Sequence, residues 1–206
     1  MHEYLVEQPR DLGQVQADEI RGKKQGGIVW MALAMMVKPR LWLGGEVSAQ
    51  RDLSLIRRLS ERVKRCAARR PLLVCTDGLV AYIRAIRESF RDPVQTGKGG
   101  RPRLRRWPNV LIAQVVKRYE QRRVVETDRR IVDGTPARVE TLRQRSQGNG
   151  VINTAYIERL NATFRARLAP LARRCWALVR QTLTLHQGMF LVGTVYNFCT
   201  PHSNSR

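Results

Sequence analysis

"PLLVCTDG", residues 71–78, is a continuous apolar run without period-two alternation, closed by Asp-Gly. Such a run suits a strand buried on both faces at the centre of a sheet. The stretch before it, "DLSLIRRLSERVKRCAARR" (52–70), places Leu55, Leu59, Val63 and Cys66 at helical spacing with arginines on the other face, which defines an amphipathic helix. A second helix, "LVAYIRAIRESF" (79–90), follows directly. Further back, "GQVQADEI" (13–20) alternates in period two. "GIVWMALAMMV" (27–37) and "LWLGGEVSA" (41–49) are rich in β-formers and broken by Pro39, Gly44 and Gly45. Three consecutive antiparallel strands are expected, then a right-handed crossover helix into a parallel fourth strand. The order βββαβα describes an α/β chain with a mixed sheet.

Beyond residue 90 the pattern breaks at "TGKGGRPRLRRW" (96–107), a Gly/Pro/Arg segment expected to form a basic loop. "NVLIAQVVKRY" (109–119) and "RRVVETDRRIVDG" (122–134) resemble two strands joined by a short turn. Residues 91–150 are therefore expected to form a basic loop and β-hairpin insertion within a single domain, 1–206. "SQGNG" (146–150) is a breaker, after which Asn153 or Thr154 can cap a helix whose apolar stripe is Ile157, Leu160, Phe164 and Leu168. Glu158, Asn161 and Arg165 fall together on the border of that stripe. Pro170 closes the helix, and a last one is expected over 173–197.

The net charge of +21 and pI near 11.3 point to a polyanionic partner, and nucleic acid leads because clustered Lys and Arg release counterions on meeting phosphates. The charge is uneven: residues 1–50 hold six Lys/Arg and six Asp/Glu, so the whole surplus lies beyond residue 50. Between residues 91 and 147 there are fifteen Lys/Arg against six acids, which makes this region the expected phosphate-contacting surface. Its candidate contacts are Lys98, Arg101, Arg103, Arg105 and Arg106 in the loop, and Lys117 and Arg118 in the hairpin. Trp107 beside Pro108 is a weaker candidate for base stacking. Cys66, Cys75, Cys175 and Cys199 form no CxxC pair, so neither a zinc ribbon nor a disulfide framework is suggested. The apolar run at 26–37 is too short for a bilayer span. A cytoplasmic protein with no membrane partner is expected.

Three acids stand out by position: Asp18 in the first strand, Asp77 at the carboxyl end of the buried strand, and Glu158, the sole acid after Glu140. Ligands collect beyond the carboxyl ends of strands in sheets with crossover helices. Carboxylates gathered there repel one another unless a cation joins them, and hard oxygen ligands select Mg²⁺ or Mn²⁺. Two such ions about 3.5–4 Å apart can serve phosphoryl transfer. Each acid also has a plainer explanation. Asp18 can be a strand-edge acid, with Glu19 an equal candidate for its role; "TDG" can be a turn; Glu158 can pair with Arg159 or Arg165.

"QADE", "CTDG" and "NTAYIERLNATFR", with "RR" at 173–174 and "YNFCTPH" at 196–202, together resemble the catalytic domain of insertion-sequence transposases of the "insertion sequence one" family. The resemblance spans residues 14–202 and is most specific around Glu158. It implies a ribonuclease H-like fold and an Asp-Asp-Glu metal site. Asp18 would bridge two Mg²⁺ or Mn²⁺ ions, and Asp77 and Glu158 would each complete one. Asn161 and Arg165 would orient substrate or the glutamate, with Arg159 also near DNA. It further implies DNA as partner, both transposon ends and target, and a homo-oligomer assembled on it. Members of the family carry an N-terminal DNA-binding region, whereas about thirteen residues precede the first strand here, so this chain is expected to match the catalytic domain. Two alternatives are a DNA-binding remnant without activity and a structure-specific nuclease on the same scaffold.

Overall fold

The computed structural model describes residues 2–94, 100–121, 123–172 and 178–202. A short helix α1 (His2–Val6) leads into β1 (Gln14–Lys24), β2 (Gly27–Met36) and β3 (Leu41–Ser48), followed by α2 (Leu53–Cys66), β4 (Leu72–Asp77) and α3 (Val80–Ser89). Then come β5 (Arg91–Val94), β6 (Arg103–Arg106), β7 (Val110–Glu120), β8 (Arg123–Asp133), α4 (Pro136–Gln147), α5 (Ala155–Arg167) and α6 (Thr182–Cys199). Six strands form one mixed sheet in the order β3-β2-β1-β4-β7-β8, with β1–β4 and β4–β7 parallel and the other pairs antiparallel. The expected βββαβα order is present.

The two faces of the sheet bury different helices. Val15, Ala17 and Val74 meet Leu55, Ile56 and Tyr82 of α2 and α3. On the other face Ile20, Met31 and Leu33 meet Ile157, Phe164 and Met189 of α5 and α6, while Leu73 and Cys75 lie under Val139 and Leu142 of α4. The helix α6 packs so closely that a Cβ on Gly193 would come within 1.9 Å of the Trp42 ring. This position needs the absent side chain.

The sequence-based expectations fail in three places. First, the strand pair after residue 109 is no insertion. β7 is a strand of the central sheet, paired in parallel with β4 from Leu72↔Val110 to Asp77↔Val115. Val110–Val115 are all buried, the same apolar-run signature that marks β4. Only residues past Val115 extend beyond β4, where they pair with β8 alone.

Second, α4 has no counterpart in the expected pattern. It opens with Thr135-Pro136, a capping position followed by Pro in the first turn. Its buried stripe is short, Val139, Leu142 and Arg143. The Arg143 guanidinium is enclosed and donates to Glu140 and the Gly148 carbonyl, so a charge expected at the surface sits inside. Third, the last helix begins at Thr182, because Val179 is held extended against Lys23 and Gln25 by backbone hydrogen bonds. The expected start at 173, with Arg173, Arg174 and Trp176, lies outside the described residues.

Candidate metal and phosphate site

The register Ala17↔Thr76 between parallel β1 and β4 sets Asp18 beside Asp77 at the carboxyl end of β4. Side chains alternate along β1, so Gln16 and Asp18 share the face that carries α5. Gln16 is fully buried and fastens that helix. Its Oε1 accepts the N–H groups of Tyr156 (3.1 Å) and Ile157 (3.0 Å), and its Nε2 donates to the Asn153 carbonyl (2.7 Å). These first-turn donors have no partner within a helix and need one. Asn153 contributes a further bond, accepting from Ala155 N–H, and Thr154 donates its hydroxyl to Glu158. Thus the cap expected from Asn153 or Thr154 is shared with a side chain from a distant strand.

Nearly two turns into α5, Asn161 is buried and donates from Nδ2 to Asp18 Oδ2 at 2.7 Å. Its Oδ1 is buried with no partner among the described residues. The other Asp18 oxygen accepts from Glu19 N–H. Burial pushes the Asp18 carboxyl up to about 7; the Glu19 N–H opposes this, and the negative charges of Glu19, Asp77 and Glu158 add to it. Burial likewise raises Glu19, as does Asp77, partly offset by Arg51. An acid cluster that destabilises its own charged form is one a cation would relieve.

Ligand oxygens of Asp18, Glu19 and Asp77 lie within 4.8 Å of one another, so these three can hold a metal ion. The all-oxygen donor set suits a hard divalent cation. Glu19 is therefore part of the acid cluster together with Asp18 and Asp77. Glu158 stands apart from it. It lines the same cleft, but Lys117 and the Thr154 hydroxyl hold its carboxylate.

The cleft encloses about 760 Å³ and is bordered by Asp18, Asp77, Glu158, Asn161 and Arg165, with Lys117 and Arg51 adding positive charge. The expected grouping of Glu158, Asn161 and Arg165 on one edge of α5 holds at this cleft. Arg51 was not among the site residues expected from the sequence. Its Nη2 bridges Glu19 Oε2 (2.8 Å) and Asp77 Oδ2 (3.1 Å), and its guanidinium lies over the Trp30 ring at 5.2 Å. It sits just before Asp52, whose carboxylate caps α2 at Leu55 N–H, so the start of that helix fixes its position. An Arg-Asp pair at a strand-to-helix junction was the only available clue. Gln16 was equally silent, since a buried glutamine looks like any polar residue of an alternating strand.

The other expected phosphate contacts divide between two ends of the sheet. Arg118 is exposed on the part of β7 that runs past Asp77, where it pairs with Glu120 and Glu126. Arg159 is exposed on α5 and does not border the cleft. Arg101, Arg103, Arg105 and Arg106 lead into the amino end of β7, opposite the acids. Arg106 is held by Asp133. Trp107 packs edge-on against Phe90 and donates to Asp92, which makes it an anchor for the β5–β6 pair rather than a stacking platform. Lys98 lies outside the described residues.

Comparison with protein-family models gives no match, and comparison with curated proteins gives none either. Among the described residues no helix is long and apolar enough to cross a membrane.

Proposed function

We propose that this chain is the catalytic domain of a DNA transposase resembling the "insertion sequence one" family, with a ribonuclease H-like arrangement of its sheet. The observation that carries the proposal is the approach of Asp18, Glu19 and Asp77 to within 4.8 Å, with Asp18 and Asp77 opening onto a cleft also bordered by Glu158, Lys117 and Arg165. A cluster of carboxylates inside a polyphosphate-seeking protein has a ready chemical purpose in phosphodiester cleavage.

Asp18, Asp77 and Glu19 would hold Mg²⁺ or Mn²⁺, with Glu158 joining once released from Lys117. Such ions, two in the family this chain resembles, would supply activation of the attacking oxygen and neutralisation of the leaving one. Asn161 fixes one Asp18 oxygen and keeps the carboxylate facing the cleft. Gln16 sets the depth of α5 and so the reach of Glu158 and Arg165. Lys117, Arg51 and Arg165 offer positive charge to the DNA backbone in the cleft. The reaction proposed is hydrolysis at the element's end followed by attack of the freed 3′-hydroxyl on target DNA, in a homo-oligomer on paired ends in the cytoplasm.

The test is Mn²⁺- or Mg²⁺-dependent nicking of supercoiled plasmid, with Asp77→Ala and Glu158→Ala as controls. Both substitutions should abolish nicking while leaving salt-sensitive DNA binding nearly unchanged. Nicking that survives Asp77→Ala defeats the proposal. A strand-transfer assay with end sequences separates a transposase from a nuclease that only cuts.

A further inference from the structure

The amino end of the sheet carries a basic face that the cleft does not use. β5 and β6 form a two-stranded sheet of their own, in which Asp92 pairs with Arg105 and Val94 with Arg103. Asp92 is already committed to Lys64 and Arg69. Arg103 and Arg105 are exposed, two residues apart and so on one side of β6, and Arg101 is exposed beside them. Among the described residues no side-chain hydrogen bond or ion pair engages Arg101, Arg103 or Arg105. Elsewhere many arginines have acidic partners, as Arg57, Arg62, Arg84 and Arg87 do. Unpaired cations repelling one another on a short hairpin are costly unless a polyanion meets them.

From these observations we infer that the β5–β6 pair is a second duplex-DNA-binding face, so that one chain holds two separate DNA segments, one in the cleft and one at the opposite end of the sheet. The six residues of β4 alone separate the two ends by roughly 20 Å, and the ends open in opposite directions. The arginines and the acids therefore sit at separate places on the sheet. Arg103 and Arg105 recur at roughly 6.8 Å along the strand, twice the approximately 3.4 Å axial rise per phosphate of one DNA strand. Trp107, the aromatic of this face, is committed to Phe90 and Asp92. With no free stacking surface there, phosphate contact to a duplex is favoured over capture of single-stranded bases. That the cleft holds the other DNA segment rests on the proposed function; the β5–β6 face itself is tested without metal.

The experiment uses the whole chain in EDTA. A biotinylated 20-base-pair duplex captures the protein, and retention of a second, fluorescent duplex is read after washing. The wild-type chain should retain the second duplex, and Arg103→Lys/Arg105→Lys should retain it too. Arg103→Glu/Arg105→Glu should lose it while still being captured by the first. Arg103→Ala/Arg105→Ala should lower the slope of log K against log salt by about 1.8, two contacts at roughly 0.9 each. Retention of the second duplex by the Glu variant, its loss from the Lys variant, loss of all DNA binding by the Glu variant, or equal affinity for a single-stranded 20-mer each overturns the inference. A chain that bridges two duplexes but never nicks DNA in Mn²⁺ keeps this face and defeats the catalytic proposal instead.

Discussion

Lys117 on β7 and Glu158 on α5 form an ion pair at the rim of the cleft, so the Glu158 carboxylate faces a lysine while Asp18, Glu19 and Asp77 face one another. Both partners are partly exposed, at 30% and 45% of their side-chain surface, which puts the pair in the class that contributes about 0–1 kcal/mol. It is a weak latch, suited to giving way to a cation. Lys117→Met should therefore change Tm by no more than a couple of degrees yet tighten Mn²⁺ binding in calorimetry. Unchanged or weaker Mn²⁺ affinity would show that Lys117 does not compete for Glu158.

Arg51 holds the other side of the cluster. Because its guanidinium bridges Glu19 and Asp77, any cation bound by these acids must displace or share it. Arg51→Ala should raise Mn²⁺ affinity several-fold and lower affinity for duplex DNA at low salt. The two measurements should move in opposite directions, and a loss of both would mean that Arg51 only maintains the fold.

The pH dependence follows from Asp18, whose carboxyl is raised to about 7 by burial and neighbouring charge. An unfolded Asp titrates near 3.9. The folded state therefore binds more protons than the unfolded state between these values, and stability falls as pH rises from about 4 to about 7. In EDTA, Asp18→Asn should exceed wild type in stability by on the order of 2–4 kcal/mol at pH 8, with the gap closing toward pH 4. Thermal melts across this range test it. Equal stability of the two proteins at pH 8 would contradict a destabilising charge at Asp18.

Gln16→Ala would leave the N–H groups of Tyr156 and Ile157 without their buried acceptor. A stranded buried donor costs about 1–3 kcal/mol, so a loss of roughly 2–4 kcal/mol is expected in urea unfolding. At temperatures where the variant stays folded, metal binding should also weaken, since α5 carries Asn161 against Asp18. A drop in stability with unchanged metal affinity would limit Gln16 to the fold.

Much of the scaffold was legible in the chain. The unbroken apolar run of Leu72–Cys75 and the helical stripe of Leu55, Leu59 and Val63 each reflect one element's own period of burial, which neighbouring residues encode, whereas the alternation of Gln14–Ile20 marked a strand but not that its polar residues Gln14 and Gln16 are buried too. Val110–Val115 carried the same signal and were read as a strand, but which strand lay beside them was not written in their pattern. Parallel pairing with β4 depends on contacts across more than thirty positions of sequence. The helix α4 escaped notice because burial of Arg143 replaces part of the apolar stripe that would have revealed it.

By itself the sequence determined that the chain is a basic α/β protein with a strand ending at Asp77, and it singled out Asp18 and Glu158 as acids with unusual settings. Only the tertiary structure decided that Glu19 joins Asp18 and Asp77, that Arg51 bridges two of them, and that Lys117 holds Glu158. It also decided that Arg103 and Arg105 lie at the far end of the sheet from the acids, because β7 runs parallel to β4 and its basic lead-in must enter from the amino end. Residue types set which charges exist; strand direction and register set which of them can meet.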